Sequence, residues 1–136
     1  MSVAFVDTSA WYALLDQRDP HHPRAKAFAE SFSGSLVTSN YVALETTNLI
    51  LMRKGFSAAM DFLRMTMESR LLQTLHVTPE QHAGTLELFS TLGKQGLSFT
   101  DCNSVLLMRE ARLAETFCFD EDFAGQGFAC VPARSA

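Results

Sequence analysis

The chain has 136 residues, of which 47% are hydrophobic and 19% charged, and its net charge is −4. This length predicts a single domain, residues 1–136, with one buried core. The acidic balance excludes a protein that attracts nucleic acid through an overall positive field, so any polyanion must be met by a local basic patch or by bound cations.

The cysteines and the N-terminus indicate a cytoplasmic protein. Cys102, Cys118 and Cys130 are odd in number, form no Cys-x-x-Cys pair and lie among apolar residues, which predicts reduced, buried thiols. The first residues lack the basic region of a secretory signal peptide, and no apolar run approaches the roughly 18 residues of a membrane span.

Strands and helices alternate in the first half of the chain. Val3–Val6 is a continuous apolar run, typical of a strand that is buried on both faces of a parallel sheet. The elements expected after it are a helix at 9–19, a helix at 22–32, a strand at 35–39 and a helix at 41–54. Thr8 or Ser9 is the expected cap of the first helix, and Asn40 that of the third.

The second half continues the alternation. Its expected elements are a helix at 57–70, a strand at 71–77, a helix at 79–92, a helix from Thr100-Asp101 to near Ala114, a strand at 116–120, a turn at 121–123 and a strand at 128–132. This order predicts an α/β fold with a central, mainly parallel sheet of four to five strands. In such sheets, functional sites form beyond the carboxyl ends of the strands.

Four carboxylates occupy unusual positions. Asp7 follows the apolar run VAFV, Asp120 follows FCF, and Asp101 opens a helix after an apolar stretch. Glu45 lies within a helix that is apolar nearly all round, where an isolated charge is costly. A buried carboxylate must therefore be neutralised, paired with a cation, or used to coordinate a metal.

Each acid also has an ordinary structural alternative. Glu45 could form a salt bridge with Arg53 or Arg109, and Asp101 is a favoured residue at a helix start. Asp7 and Asp120 could likewise cap the helices that follow them.

Taken together, the four acids predict a metal site. Two follow strands and two lie near helix starts at the carboxyl edge of a parallel sheet, so their side chains should converge. Clustered carboxylates repel one another and require a compensating charge. Oxygen ligands without a nearby His or Cys cluster favour Mg²⁺ or Mn²⁺, and such ions activate water and stabilise the leaving oxygen in phosphodiester hydrolysis.

The acidic residues lie in four short motifs spread over the chain. These are VDTSA at 6–10, VTSNYVALETTNLI at 37–50, LSFTDCNSVLLMREA at 97–111 and CFDEDF at 118–123. In order and spacing the motifs resemble those of the PIN-domain nucleases, and among these the ribonuclease toxins of the VapC type. The similarity extends from residue 3 to about residue 132.

The resemblance implies a function for each acid and for its neighbours. The family's catalytic, metal-binding quartet falls on Asp7, Glu45, Asp101 and Asp120. Asp122 is a supporting acid that competes with Asp120 for the fourth ligand position. Small polar residues beside the acids resemble groups that orient ligands, with helix capping as the alternative: Thr8, Ser9, Ser39 and Thr100.

The resemblance also implies a fold, a reaction and partners. They are a three-layer α/β/α sandwich, Mg²⁺- or Mn²⁺-dependent endoribonuclease activity, a homodimer and a VapB-type antitoxin. A second hypothesis is a catalytically silent PIN-like module whose acidic pocket binds a basic peptide or protein. A haloacid-dehalogenase phosphatase fits poorly because Ser9 stands where that motif needs a second acid. A receiver domain fits poorly because the chain has no lysine after Lys94.

Basic, aromatic and histidine residues give weaker signals. Seven basic residues are candidates for contacts with RNA phosphates, although each could instead be an ordinary surface charge. They are Arg18, Arg24, Lys26, Arg53, Lys54, Arg109 and Arg112. Trp11 and Tyr12 are assigned to packing rather than to base stacking. The histidines are interpreted as ordinary surface or packing residues: His21, His22, His76 and His82. Contacts that select the RNA are expected in 17–24 and 55–70.

Overall fold

A computed structural model describes residues 2–133 and shows a five-stranded sheet in which every pair of neighbouring strands is parallel. The strands are β1 (Val3–Val6), β2 (Ser35–Ser39), β3 (Leu72–Leu75), β4 (Glu115–Phe117) and β5 (Ala129–Val131). The α-helices are α1 (Thr8–Leu15), α2 (His22–Ser31), α3 (Asn40–Lys54), α4 (Phe56–Glu68), α5 (Pro79–Leu92) and α6 (Phe99–Glu110). Short 3-10 helices span Gly93–Gln95 and Glu121–Gln126. The predicted α/β fold is confirmed.

The strand order β3-β2-β1-β4-β5 places the first strand at the centre of the sheet. The chain moves outward from β1 to β3, then returns across the sheet to β4. Because parallel crossovers are right-handed, the two directions place their helices on opposite faces, which makes three layers. The chain order reverses at β1, and the crevice beyond such a reversal is where ligands bind in open α/β sheets.

In three helices the N-cap lies one or two residues earlier than expected. The expected caps Thr8 or Ser9, Asn40 and Thr100-Asp101 are wrong, and the observed caps are Asp7, Ser39 and Ser98. In each case the earlier side chain accepts a backbone N–H from the first turn. Asn40 instead accepts the N–H of Val77 at 2.9 Å and so ties α3 to the segment after β3.

Several elements are shorter than predicted. The first helix ends at Leu15 instead of Asp19, because Asp16 is extended and its carboxylate accepts the Tyr12 hydroxyl at 2.8 Å and the Arg18 N–H at 2.9 Å. Helix α6 ends at Glu110 instead of near Ala114, and Arg112 beyond it has a positive φ of 56°. The strands expected at 71–77 and 116–120 are shorter as well.

The core surrounds the central strand. Ala4, Phe5 and Val6 are fully buried. Trp11 and Tyr12 are also buried, as their assignment to packing predicted. The Trp11 indole N–H donates to Thr38 Oγ1 at 3.3 Å, and the Thr38 hydroxyl donates to the carbonyl of Val6 at 2.9 Å. This chain of contacts fixes α1 against the ends of β1 and β2.

The cysteines agree with the prediction of reduced thiols. All three are unpaired; Cys102 and Cys118 are buried, and Cys130 is half-buried. Across residues 2–133, none of the helices has both the length and the apolar character needed to cross a membrane.

Candidate metal centre

Asp7 lies where β1 ends and α1 begins, at the carboxyl edge of the sheet. Its side chain is 3% exposed, and it caps α1 by accepting the N–H of Ser9 at 3.2 Å. The apolar residues of β1 are buried in the core, so the Asp7 carboxylate at the end of the strand has little contact with water. Capping and a role in a site are therefore compatible for Asp7.

The hydroxyl of Ser9 joins two segments that carry acids. It donates to Asp7 Oδ2 at 2.9 Å and accepts the N–H of Phe119 at 3.0 Å. Phe119 directly precedes Asp120, so one side chain sets the spacing between the end of β1 and the segment after β4. Among the small polar residues singled out in the sequence, Ser9 has the clearest bridging contact.

Three aspartates lie close together at this edge. One carboxylate oxygen from each of Asp101, Asp120 and Asp122 falls within 4.8 Å of the other two. Asp120 accepts the N–H of Asp122 at 3.0 Å, which holds the turn that carries both. Asp101 is fixed by a capping box, in which it accepts the N–H of Ser98 at 3.3 Å and donates its own N–H to the Ser98 hydroxyl at 3.1 Å.

Glu45 reaches the same region from α3. It is half-buried, so the expectation that this apolar helix buries Glu45 is wrong, and Leu44, Leu51 and Met52 on the same helix are exposed. The exposed apolar residues leave one side of α3 open to solvent, and this is why Glu45 is less buried than its sequence context suggested.

None of the ion pairs between described residues involves the clustered acids. Those pairs join Asp16 to Arg18 and to Lys54, and Asp61 to Arg64. The salt-bridge alternatives for Glu45 do not form, because the guanidinium of Arg53 lies over the Tyr12 ring. Arg109 instead contacts Gln126.

Burial and the charges of neighbouring carboxylates raise the pKa values of Asp7 and Asp101. Burial, together with the charge of Asp101, raises the pKa of Asp7 to about 7, although hydrogen bonds from Ser9 oppose the rise. Burial also raises the pKa of Asp101 to about 6; hydrogen bonds from Ser98 oppose it, and the charges of Asp120 and Glu45 add to it. Asp7 and Asp101 are thus both affected by the charge of neighbouring carboxylates, a pattern common at functional sites.

The remaining small polar residues have mixed roles. Ser39 is buried and caps α3 by accepting the N–H of Val42 at 3.1 Å. The hydroxyl of Thr8 is buried and has no hydrogen-bond partner within the described part of the chain. Thr100 is half-buried in the first turn of α6. Ser39 therefore has its capping role, while Thr8 leaves one polar atom beside Asp7 unsatisfied.

An aromatic and basic patch lies beside Asp120. The imidazole of His21 stacks on Phe119, with ring centroids 4.6 Å apart and planes 10° from parallel. The guanidinium of Arg24 lies 5.5 Å from the centre of the Phe119 ring. The assignment of His21 as an ordinary surface or packing residue overlooked this position, because no local pattern connects residue 21 with residue 119.

The donor set suits a hard divalent cation. The clustered groups are all carboxylates, the ligand type that Mg²⁺ and Mn²⁺ prefer. Burial is the largest cause of the raised pKa values of Asp7 and Asp101, and the charges of neighbouring carboxylates add to both. A bound cation would offset the charges of these carboxylates.

Comparison with known proteins identifies the family. A family model for the PIN domain matches residues 4–128. The chain belongs to the PIN-domain family. The match covers the five acids of the candidate site: Asp7, Glu45, Asp101, Asp120 and Asp122.

Individual relatives agree with this assignment. The PIN domain is 33% identical over 124 residues to the 23S rRNA-specific endonuclease VapC20 of Mycobacterium tuberculosis, covering 91% of this chain and 94% of the relative. A crystal structure of that VapC20, described as a sarcin-ricin loop cleaving toxin, superposes with a TM-score of 0.87 at 32% identity, covering 94% and 97% of the two chains. FitAcB from Neisseria gonorrhoeae shares the fold, with a TM-score of 0.68 at 14% identity and coverage of 94% and 95%. The predicted resemblance to VapC-type PIN endoribonucleases is confirmed.

Proposed function

We propose that this PIN domain is a Mg²⁺- or Mn²⁺-dependent endoribonuclease whose metal site is built from Asp7, Glu45, Asp101 and Asp120, with Asp122 beside them. The observation that carries the proposal is the convergence of Asp101, Asp120 and Asp122 within 4.8 Å, without an ion pair to any described residue. Buried Asp7 lies close enough for the charge of Asp101 to raise its pKa.

The chemistry follows from the arrangement of these side chains. A divalent cation supplies positive charge that activates a water molecule and stabilises the leaving oxygen of an RNA phosphodiester. Asp7, Glu45, Asp101 and Asp120 would hold the cation, and Asp122, whose N–H donates to Asp120, would lie beside them. Ser9 keeps the Asp7 carboxylate oriented through its 2.9 Å hydrogen bond, and Ser98 does the same for Asp101. Ser39 supports the start of the helix that carries Glu45 by accepting the N–H of Val42, while Thr8 and Thr100 lie next to Asp7 and Asp101 in the sequence.

The proposed substrate is the large ribosomal RNA. The relative that matches 91% of this chain is named as a 23S rRNA-specific endonuclease. Identity of 33% over nearly the whole length supports the same substrate class here.

The proposed setting is a cytoplasmic toxin-antitoxin pair. The fold similarity to VapBC from Salmonella typhimurium, with a TM-score of 0.67 at 13% identity, supports the interpretation that a VapB-type antitoxin is the partner. Exposed Leu44, Leu51 and Met52 on α3 support a homodimer, because exposed apolar groups of this kind favour burial between subunits. Reduced cysteines support the cytoplasm.

Cleavage of purified 23S rRNA tests the proposal. The wild-type protein should cut the RNA with Mg²⁺ or Mn²⁺ and stop when EDTA is added. Asp7→Asn and Asp101→Asn should each lower the rate by about 100-fold or more while the protein stays folded. Asp61→Asn is the matched control, because Asp61 is exposed and pairs only with Arg64 on the surface.

Two results would contradict this function. Full activity in both Asp7→Asn and Asp101→Asn would exclude the carboxylate mechanism. A wild-type protein that cuts no RNA with either metal, yet binds a basic peptide through its acids, would support the alternative of a silent binding module.

A further inference from the structure

Two cavities adjoin the carboxylates, one on each side of the stacked pair His21 and Phe119. The first has a volume of about 560 Å³ and the second about 480 Å³. Both volumes lie in the range of about 300–1,000 Å³ that is typical of small-molecule sites. The two cavities share four lining residues: His21, Phe119, Asp120 and Glu121.

Each cavity has its own arginine. Arg24 lines the first, where its guanidinium donates to the carbonyl of Ala133 at 3.0 Å and lies over Phe119. Arg53 lines the second, with its guanidinium 4.9 Å from the centre of the Tyr12 ring. Each contact positions a positive charge over an aromatic face and leaves the guanidinium without a carboxylate partner in an ion pair between described residues.

The stacked pair lies at the surface, and a backbone hydrogen bond ties Phe119 to the segment that carries Asp7. His21 is exposed, and its ring forms no hydrogen bond with the described residues. Phe119 is half-buried, and its N–H is held by Ser9, which also holds Asp7. The imidazole therefore offers an aromatic surface whose position is fixed relative to the acids.

We propose that the His21–Phe119 pair is a base-stacking platform, and that the cavities on its two sides bind the nucleotides that flank the scissile phosphate, with Arg24 and Arg53 contacting their phosphates. A nucleotide presents both an aromatic face and an anionic phosphate, and each cavity offers an aromatic ring and a guanidinium. Asp120 and Glu121 line both cavities and Asp19 lines the second, so the aromatic rings and the arginines, rather than the net charge of the lining, favour a nucleotide. The inference rests on the proposed function and adds to it the residues that position the RNA.

Steady-state cleavage of an RNA hairpin that carries the sarcin-ricin loop tests the platform. His21→Ala should raise KM by about tenfold and change kcat much less, because it removes stacking but no carboxylate. His21→Phe keeps an aromatic face and should stay close to wild type.

The proposed phosphate contacts of Arg24 and Arg53 are tested separately. Arg24→Ala and Arg53→Ala should each raise KM and reduce the salt dependence of binding by about one phosphate contact. Lys94→Ala is the matched control, because Lys94 is an exposed cation in the 3-10 helix Gly93–Gln95 and lines neither cavity. Thermal unfolding of every variant checks that the fold is retained.

Different results would contradict the stacking platform and the proposed endoribonuclease function. If the wild type cuts the hairpin and His21→Ala has the same KM, the platform is wrong and the enzyme assignment stands. A KM for His21→Phe as poor as that of His21→Ala would also overturn stacking. If the wild type cuts nothing, the proposed function fails. The platform is then tested by fluorescence anisotropy, which compares the affinities of wild type and His21→Ala for the labelled hairpin; equal affinities would overturn it. Loss of arginine-rich peptide binding in His21→Ala, with unchanged RNA binding, would assign the surface to a protein partner.

Discussion

Replacing Asp7 with asparagine is expected to make the metal-free protein more stable at neutral pH, although it removes a proposed metal ligand. Burial raises the pKa of Asp7 from 3.8 to about 7. The folded chain therefore binds a proton between these values that the unfolded chain does not, so stability is full below pH 3.8 and falls as pH rises through about 7. One pKa unit corresponds to about 1.4 kcal/mol, so ionised Asp7 destabilises the fold by about 4 kcal/mol above that pH.

Urea denaturation in EDTA measures this effect. At pH 8, the free energy of unfolding of Asp7→Asn should exceed that of wild type by up to about 4 kcal/mol, and at pH 4 the two proteins should be nearly equal. Asp61→Asn should change stability by less than about 0.5 kcal/mol at either pH, because Asp61 is exposed. Added Mg²⁺ should stabilise the wild type more than Asp7→Asn. An Asp7→Asn protein that is no more stable than wild type at pH 8 would refute the reasoning.

Three further substitutions probe individual contacts. Ser9→Ala should lower the RNA cleavage rate by about 10- to 100-fold, because it frees both Asp7 and the N–H of Phe119; Ser9→Thr should recover part of the loss, and an unchanged initial rate in Ser9→Ala would contradict the bridge. Asp16→Asn should lower stability at pH 7, and the difference from wild type should vanish as pH falls from 3.8 toward 2, because hydrogen bonds from the Arg18 N–H and the Tyr12 hydroxyl, with Lys54 beside them, lower the pKa of Asp16 to about 2. A pH-independent difference in urea titrations would count against that cause. Gly34→Ala should destabilise the chain by about 1–3 kcal/mol, since a Cβ there would lie 2.1 Å from the carbonyl oxygen of Ser2, whereas Gly125→Ala meets nothing within 4 Å and should leave thermal unfolding unchanged.

The sequence predicted the convergence of the acids because parallel strands impose it. Asp7 and Asp120 follow strands that pair side by side in the sheet, so their positions depend only on strand order and direction. Asp101 follows from a helix start at the same edge. Their proximity is therefore a consequence of backbone topology, which the apolar runs VAFV and FCF already indicate.

The sequence failed where contacts depend on tertiary packing. Asn40 was expected to cap α3, but its side chain accepts the N–H of Val77 after β3, and the cap is Ser39, for which capping was one of the two predicted roles. His21 lies in a short loop, and its stack on Phe119 links residues about 100 positions apart. No periodicity or motif encodes such a contact, because it depends on how the loop before α2 lies against the end of β4.

Binding of Mn²⁺ to the metal-free protein tests the central claim most directly. Electron paramagnetic resonance counts free Mn²⁺ during a titration at pH 7.5, without any RNA present. The wild type and Asp61→Asn should bind Mn²⁺ equally, and Asp101→Asn and Asp120→Asn should each bind at least about tenfold more weakly. Equal Mn²⁺ affinity in all four proteins would contradict a metal centre at these carboxylates.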